Sequence, residues 1–147
     1  MIDPASRQRL LDRFGDEVEA WFDEIPAVLA ILSDRWLLRE GVQIPRGSVS
    51  IVFRCRVGGG PDGVLKLSPD RPRLAWEAAA LNAWMTVHAP RVIRFDEDLG
   101  ALLIEAIEPG TPLDMSPGYP SMETVGKLVN ALHEGSRDPS FPTVERR

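Results

Sequence analysis

The sequence predicts an α+β fold: helices come first, a five-stranded antiparallel sheet with one inserted helix follows, and a further helix closes the chain. Two changes of pattern predict this order. From residue 5 to residue 38, apolar residues recur every three or four positions, as on a helix that faces a core. From residue 42 to residue 68, β-branched and aromatic runs alternate with glycine-rich turns, which is typical of strands. A chain of 147 residues is long enough for one domain with its own core.

The N-terminal arm, residues 1–40, is predicted to contain helical segments at 5–14 and 16–38. Gly15 separates the two segments, and Asp16 is a candidate N-cap. Pro26 can open a new helix at its first turn, and Gly41 would end it. The apolar residues that form the predicted stripes of these helices are Leu10, Leu11, Phe14, Val18, Trp21, Phe22, Ile25, Val28, Leu29, Ile31, Leu32, Trp36 and Leu37.

The sheet is predicted from short β-rich runs that flank one alanine-rich helix. Strands are expected at 51–57 and 64–67 after a first strand that begins near residue 42, and again at 92–95 and 101–105. The helix between the third and fourth strands is expected over 74–87. After a linker at 109–120, the spacing of Val125, Leu128, Val129 and Leu132 predicts a last helix over 122–134, and the tail from 135 is polar.

Composition excludes several classes of function. The net charge of −5 and the pI of about 5.1 argue against a general binder of nucleic acid or of anionic membranes. No apolar run approaches the roughly 18 residues of a membrane span, and no secretory signal opens the chain, so a cytoplasmic location is expected. No metal-ligand spacing is visible, and the lone Cys55 is expected to pack in the core.

Lys66 and Glu77 form the most informative pair. Lys66 lies between Leu65 and Leu67 in a predicted strand, so its side chain leaves the opposite face. By itself, such a lysine is as readily a solvent-facing residue as a phosphate ligand. Glu77 by itself is as readily a surface glutamate near a helix N-terminus as a partner of that lysine. Together, a strand lysine and a following helix glutamate are the arrangement that binds and orients the phosphates of ATP.

A turn of small residues precedes Lys66 by the length of one hairpin. Gly47, Ser48 and Ser50 would let the backbone approach phosphate oxygens, to which their N–H groups can donate. The turn is neither G-x-G-x-x-G nor G-x-x-x-x-G-K-[ST], and hairpin turns often contain Gly and Ser. Val52 and Val64 alternate onto the face of Lys66 and would form an apolar roof for a purine, unless they serve only as core.

Residues 44–50, 64–70, 76–81 and 103–113 together resemble the aminoglycoside/hydroxyurea antibiotic resistance kinases of the streptomycin 6-phosphotransferase type. The resemblance implies a kinase-like N-terminal lobe at 41–108, with MgATP as donor and a hydroxyl of a streptomycin-like aminoglycoside or of hydroxyurea as acceptor. It also implies that Lys66 binds the α- and β-phosphates, that Glu77 pairs with it, and that Ser48 and Ser50 line the phosphate turn. Glu105, Ala106 and Ile107 would form the hinge beside adenine.

One departure from the resemblance is large. Kinases of this type have an H-G-D-x-x-x-x-N segment and a later aspartate for magnesium, whereas residues 132–138 lack that spacing, and His133 is a helix-end residue. We therefore assign no catalytic residue or metal ligand, and expect 109–147 to be the hinge, linker and start of a truncated helical lobe. The chain alone is expected to be inactive, with magnesium supplied through the missing lobe and the aminoglycoside bound only by a full-length relative.

Two other interpretations stay open. The chain could be a non-catalytic interaction or dimerisation module that associates through the 122–134 helix, because exposed apolar surface tends to be covered. It could also be a plain α+β domain in which the kinase resemblance is unused. The partners expected from the first interpretation are a nucleotide and, through that helix, a second copy of the chain, with neither nucleic acid nor membrane.

Overall fold

The computed structural model describes residues 1–84, 88–110 and 118–134. Within these ranges the chain forms four helices and five strands, which confirms the predicted α+β class. Their order is α1 (Pro4–Phe14), α2 (Val18–Arg35), β1 (Leu38–Ile44), β2 (Ile51–Val57), β3 (Asp62–Leu67), α3 (Arg71–Ala83), β4 (Val92–Asp96), β5 (Ala101–Glu105) and α4 (Met122–His133). None of these helices is long and apolar enough to cross a membrane.

The sheet is antiparallel throughout, with the strand order β1-β2-β3-β5-β4. Helix α3 is inserted after the third strand, as predicted, and carries the chain to the far edge of the sheet. The register aligns Val52 with Lys66 and Lys66 with Leu102, so these three residues lie on one face. Their sequence neighbours therefore line the other face.

That other face is the main core, and it is covered by α1 and α2. Leu65 and Leu67 of β3 pack there with Leu10 of α1 and Leu32 of α2, all no more than 1% exposed. Cys55 is buried in the same cluster, as predicted. Burial, with Asp62 as a second cause, raises the pKa of its thiol.

The Lys66 face is covered only in part. Leu74 and Ala78 of α3 pack on Leu102 of β5, and this small cluster includes partly buried neighbours on the edge strand. Val52 and Val64, nearer β1, remain half-buried. The alternation of the strands thus produces one closed face and one face that is open beside Lys66.

Several predicted boundaries in the N-terminal half are wrong. Pro26 does not open a new helix, because α2 runs continuously through it; the buried stripe of Val18, Phe22, Ile25 and Leu32 continues across the proline, and its packing outweighs the missing hydrogen bond. The N-cap of α2 is Glu17 rather than Asp16.

The second helix also ends at Arg35 instead of continuing to residue 38, and β1 begins at Leu38 instead of near 42. The reversal occurs at Leu37, whose φ of 55° is left-handed, and whose carbonyl accepts a 2.8 Å hydrogen bond from the N–H of Gly58. Helix α3 occupies Arg71–Ala83, three residues earlier than its predicted start. The predicted helical residues 85–87, the linker residues 111–117 and the tail from 135 lie outside the described residues.

Candidate nucleotide-binding site

Lys66 and Glu77 are joined by an ion pair, as predicted. The Lys66 Nζ donates a hydrogen bond to the Glu77 Oε1, and the two side chains are 21% and 36% exposed. β3 directs Lys66 to the open face because Leu65 and Leu67 occupy the core face. The pair is partly screened from water yet accessible to a ligand.

The start of α3 determines where Glu77 lies. The Asp70 side chain caps the helix by accepting a 3.2 Å hydrogen bond from the N–H of Arg73. Leu74 and Ala78 then pack on Leu102, the cross-strand neighbour of Lys66. Because Glu77 lies between these two contacts on the same side of the helix, it faces the strand lysine.

Replacing Glu77 by Gln should change nucleotide affinity more than stability. The ion pair is partly exposed, so its loss should lower the free energy of unfolding by less than about 1 kcal/mol. An unpaired Lys66 loses its fixed orientation, and ATP affinity should fall about fivefold. Calorimetric ATP titration and urea unfolding measure both quantities. Glu123→Gln is the control because Glu123 pairs with Lys127 at 3.0 Å on α4; equal losses of ATP affinity in both variants would contradict the assignment.

The turn between β1 and β2 requires glycine at position 47. Gly47 has a φ of 112°, and a Cβ built there would lie 2.8 Å from the Ser50 carbonyl oxygen. Ser48 is exposed and Ser50 is buried. Among the hydrogen bonds of the described residues, none is donated by the N–H groups of Gly47, Ser48 or Val49. Three consecutive N–H groups of the turn are therefore not used within the described part of the chain.

Gly47→Ala should destabilise the chain by roughly 1–3 kcal/mol, because the new methyl group meets a backbone oxygen in a left-handed conformation. Gly59→Ala is the matched control: a Cβ built on Gly59 meets nothing within 4 Å, so its effect should stay within about 0.5 kcal/mol. Urea unfolding of both variants measures the difference. Equal stabilities would show that the turn does not hold the shape described here.

A cleft of about 390 Å³ lies at the end of β5, on the same face of the sheet. Val64 and Ile104 supply its apolar wall, and the predicted hinge residues Glu105, Ala106 and Ile107 line its edge. The Ala106 N–H already donates to the Asp62 carbonyl at 3.3 Å. The Ile107 N–H donates no hydrogen bond to any described residue.

The predicted site residues therefore fall into two groups on one face. Val64 and the three hinge residues line the cleft. Val52 lies across from Lys66, and Ile44 lies across from Val52, so the glycine turn that joins β1 to β2 lies at the Lys66 end of the sheet. The Glu105 side chain pairs with Arg91 at 3.0 Å, and the Glu105 N–H donates to the Arg91 carbonyl oxygen at 2.9 Å, so neither its carboxylate nor its N–H is left for a ligand.

Sequence reasoning missed Arg54. Its side chain lines the cleft, pairs with Asp62 at 2.9 Å and also contacts the Glu108 carboxylate. Strand alternation from Val52 places Arg54 on the same face as Lys66, and that signal was available. The partner Glu108 was not predictable, because it lies 54 residues away in sequence. The pair links the hinge to β2.

Acidic side chains do not converge on a metal position in the part of the chain that is described. Residues 1–84, 88–110 and 118–134 contain no group of three or more His, Cys, Asp or Glu side chains that could hold a metal ion.

The chain is similar to three curated proteins. It is 27% identical to a streptomycin 6-kinase of Streptomyces griseus over 86% of this chain and 42% of that protein. It is 28% identical to a streptomycin 6-kinase of Streptomyces glaucescens over 65% of this chain and 31% of that protein. A hydroxyurea phosphotransferase of Kitasatospora aureofaciens is 29% identical over 75% of this chain and 33% of its own length. The chain is a distant relative of these kinases.

These distant relatives confirm the family resemblance that the sequence shows. The names of the relatives support an aminoglycoside/hydroxyurea phosphotransferase family. No protein-family model matches the chain. The chain spans about a third to two fifths of the length of these kinases.

Proposed function

We propose that this chain is the ATP-binding lobe of an antibiotic phosphotransferase. The donor is ATP, and the acceptor in the whole enzyme is a hydroxyl of a streptomycin-like aminoglycoside or of hydroxyurea. The observation that carries the proposal is the Lys66–Glu77 ion pair on the open face of the sheet. A surface ion pair alone has little meaning, but this one lies on the same face as the hinge cleft and at the glycine-turn end of the sheet.

The purine is assigned to the cleft beside the hinge. Val64 and Ile104 provide an apolar surface for one face of the ring, and Val52 extends that surface toward Lys66. The Ile107 N–H is available to an acceptor on the adenine edge. Sites of this kind combine an apolar lining with a few placed polar groups.

The phosphates are assigned to the Lys66 end of the sheet. The Lys66 ammonium supplies a point charge for the α- and β-phosphates, and Glu77 orients it before ATP arrives. The exposed Ser48 hydroxyl and the free N–H groups of the turn add uncharged donors. Ser50 is buried, and its carbonyl oxygen lies close to Gly47, so we assign it to the shape of the turn rather than to phosphate contact.

Binding and transfer are separate tasks in this proposal. Bound ATP supplies the phosphoryl group, and magnesium, held by groups outside the described residues, would neutralise its developing charge. Residues 41–108 are assigned to nucleotide binding and residues 109–147 to the hinge and the start of a helical lobe. Because the sequence has no H-G-D-x-x-x-x-N segment, we assign no general base, and the chain alone is proposed to bind ATP without transferring its phosphate.

Titration calorimetry tests the proposal directly. MgATP should bind with one site per chain, and adenosine should bind more weakly because it lacks the phosphates that Lys66 and the turn contact. A coupled assay with streptomycin or hydroxyurea should show no acceptor-dependent turnover by the purified chain. Absence of any ATP binding would refute the nucleotide assignment, and turnover by the chain alone would refute the separation of binding from transfer.

Helix α4 supports a second candidate function, that of an interaction module. It buries none of its residues, and its apolar stripe of Val125, Leu128 and Val129 is 37–42% exposed. A stripe of this kind on a soluble domain favours association, here with a second copy of the chain. Sedimentation at tens of micromolar should then show a dimer that Leu128→Asp dissociates, and a monomer under these conditions would refute the dimer.

A further inference from the structure

Helix α1 touches the glycine turn through one side chain, Arg9. Its Nε donates a 2.9 Å hydrogen bond to the carbonyl oxygen of Gly47, and its Nη2 donates at 3.2 Å to the carbonyl oxygen of Pro45. The guanidinium thus spans two carbonyls of the same turn, which its planar fork of donors allows. These contacts cross 36 and 38 residues of sequence.

The side chain of Arg9 is itself held in place by Ser6, which is in turn held by Asp3. Its Nη2 also donates to the Ser6 Oγ at 2.9 Å, and Ser6 is 1% exposed. The Asp3 carboxylate accepts from the Ser6 N–H at 2.8 Å and from the Ser6 Oγ at 2.9 Å. The two Ser6 hydrogen bonds lower the pKa of the Asp3 carboxyl, so it is ionised at neutral pH. Asp3 and Ser6 together orient Arg9 at the turn.

Because a peptide unit is planar, holding the carbonyl of one turn residue also sets the direction of the N–H of the next residue. In a trans peptide unit the C=O and the N–H of the next residue point in opposite directions. When Arg9 binds the Gly47 carbonyl, the N–H of Ser48 is directed away from α1. Helix α1 packs through Leu10 on the core face, which is the face opposite Lys66. The Ser48 N–H is therefore directed toward the Lys66 side of the sheet.

A second anchor acts further along the turn. The Ser68 Oγ donates a 2.7 Å hydrogen bond to the carbonyl oxygen of Val49, and Ser68 is 3% exposed. Ser68 follows β3 directly, so this end of the turn is fixed to the strand that carries Lys66. At the other end of the turn, Arg9 of α1 is the donor to the Pro45 and Gly47 carbonyl oxygens among the hydrogen bonds of the described residues, so there α1 supplies the support.

We infer that Arg9 is a positioning residue, through which the N-terminal helix holds the glycine turn in the shape that presents its N–H groups to phosphate. The phosphate ligand in this inference rests on the proposed function, whereas the support that Arg9 gives to the turn does not depend on it. Arg9 contacts carbonyl oxygens of the turn and is given no contact with the nucleotide in this proposal, so its effect should be confined to ligands that bear phosphates.

The test uses Arg9→Ala, Arg9→Lys and the control Arg13→Ala in the whole chain. Arg13 lies one turn later on α1, is exposed, and makes no hydrogen bond or ion pair with the described residues. Both alanine variants therefore remove one positive charge from the same helix. Amide ¹⁵N relaxation reports the order of the turn without nucleotide, and calorimetry compares MgATP with adenosine.

In Arg9→Ala, the order parameters of Gly47 and Ser48 should fall from about 0.85 to about 0.6, and ATP should bind about tenfold more weakly with adenosine unchanged. Arg9→Lys should behave similarly because an ammonium on a flexible stem lacks the fixed fork, and Arg13→Ala should match the parent chain. Unchanged order parameters in Arg9→Ala, or full ATP affinity in Arg9→Lys, would overturn the inference. If the parent chain binds no ATP and Arg9→Ala still lowers the order parameters of the turn, the structural role of Arg9 is supported and the proposed function is refuted instead.

Discussion

Lys66→Met should weaken ATP binding about a hundredfold, the largest effect on affinity that the structure predicts. A hydrogen bond from an ammonium to a phosphate is charge-assisted, and losing one in a partly desolvated site costs about 1.5–3 kcal/mol. Methionine keeps the length of the lysine stem, so packing against Val52 and Leu102 should survive. Calorimetric titration with MgATP measures the change in affinity.

The sequence offers a close control for this variant. Lys127 is the only other lysine in the chain, and it lies on α4 in an exposed pair with Glu123. Lys127→Met removes the same charge, so it should leave ATP affinity within about twofold of the parent. If both variants bind ATP equally, Lys66 is a surface lysine and the phosphate assignment is wrong. Circular dichroism should show both variants folded.

Leu65→Ala should have the largest effect on stability, a loss of about 3 kcal/mol. Leu65 is 1% exposed at the centre of β3, with Phe53 and Leu103 as its cross-strand neighbours, so truncation leaves a cavity between the sheet and α2. A small domain has only about 5–15 kcal/mol of total stability, so the urea midpoint should fall markedly. Equilibrium urea unfolding measures this loss.

Leu128→Ala is the matched control for the core variant. Leu128 is 40% exposed on α4, and the same truncation there should cost less than about 0.5 kcal/mol at a concentration at which the chain is monomeric. A loss below about 1 kcal/mol in Leu65→Ala would show that the helices do not pack on this face of the sheet as described.

The sheet and the ion pair were predictable because they depend on local patterns. Strand β2 has the predicted bounds, since β-branched residues between two turns mark both of its ends. Lys66 and Glu77 are 11 residues apart, within one strand–helix unit, so alternation and helical period suffice to bring them together. The N-terminal boundaries were less predictable, because burial of the α2 stripe overrides the local tendency of Pro26 to start a helix.

The supports of the site depend on long-range contacts that no local pattern encodes. Arg54 reaches Glu108 across 54 residues, and Arg9 reaches Gly47 across 38. Each arginine by itself reads as an exposed charge, the commonest role of its type. Their partners are backbone carbonyls and a hinge carboxylate, whose positions exist only after the sheet has formed. Sequence reasoning therefore predicted Lys66 and Glu77, which would bind and orient the phosphates, but missed the residues that hold the turn and the hinge.

Covalent labelling with an acyl-phosphate derivative of ATP tests the central claim most directly. A lysine amine near the bound phosphates attacks the acyl carbon, an amide forms, and the nucleotide leaves. Because the chain has two lysines, mass spectrometry of the labelled peptides has a simple outcome. We predict that Lys66 is acylated in preference to Lys127, and that excess ATP prevents the labelling while adenosine protects far less. Equal labelling of both lysines, with no protection by ATP, would contradict the assignment of this face as a nucleotide site.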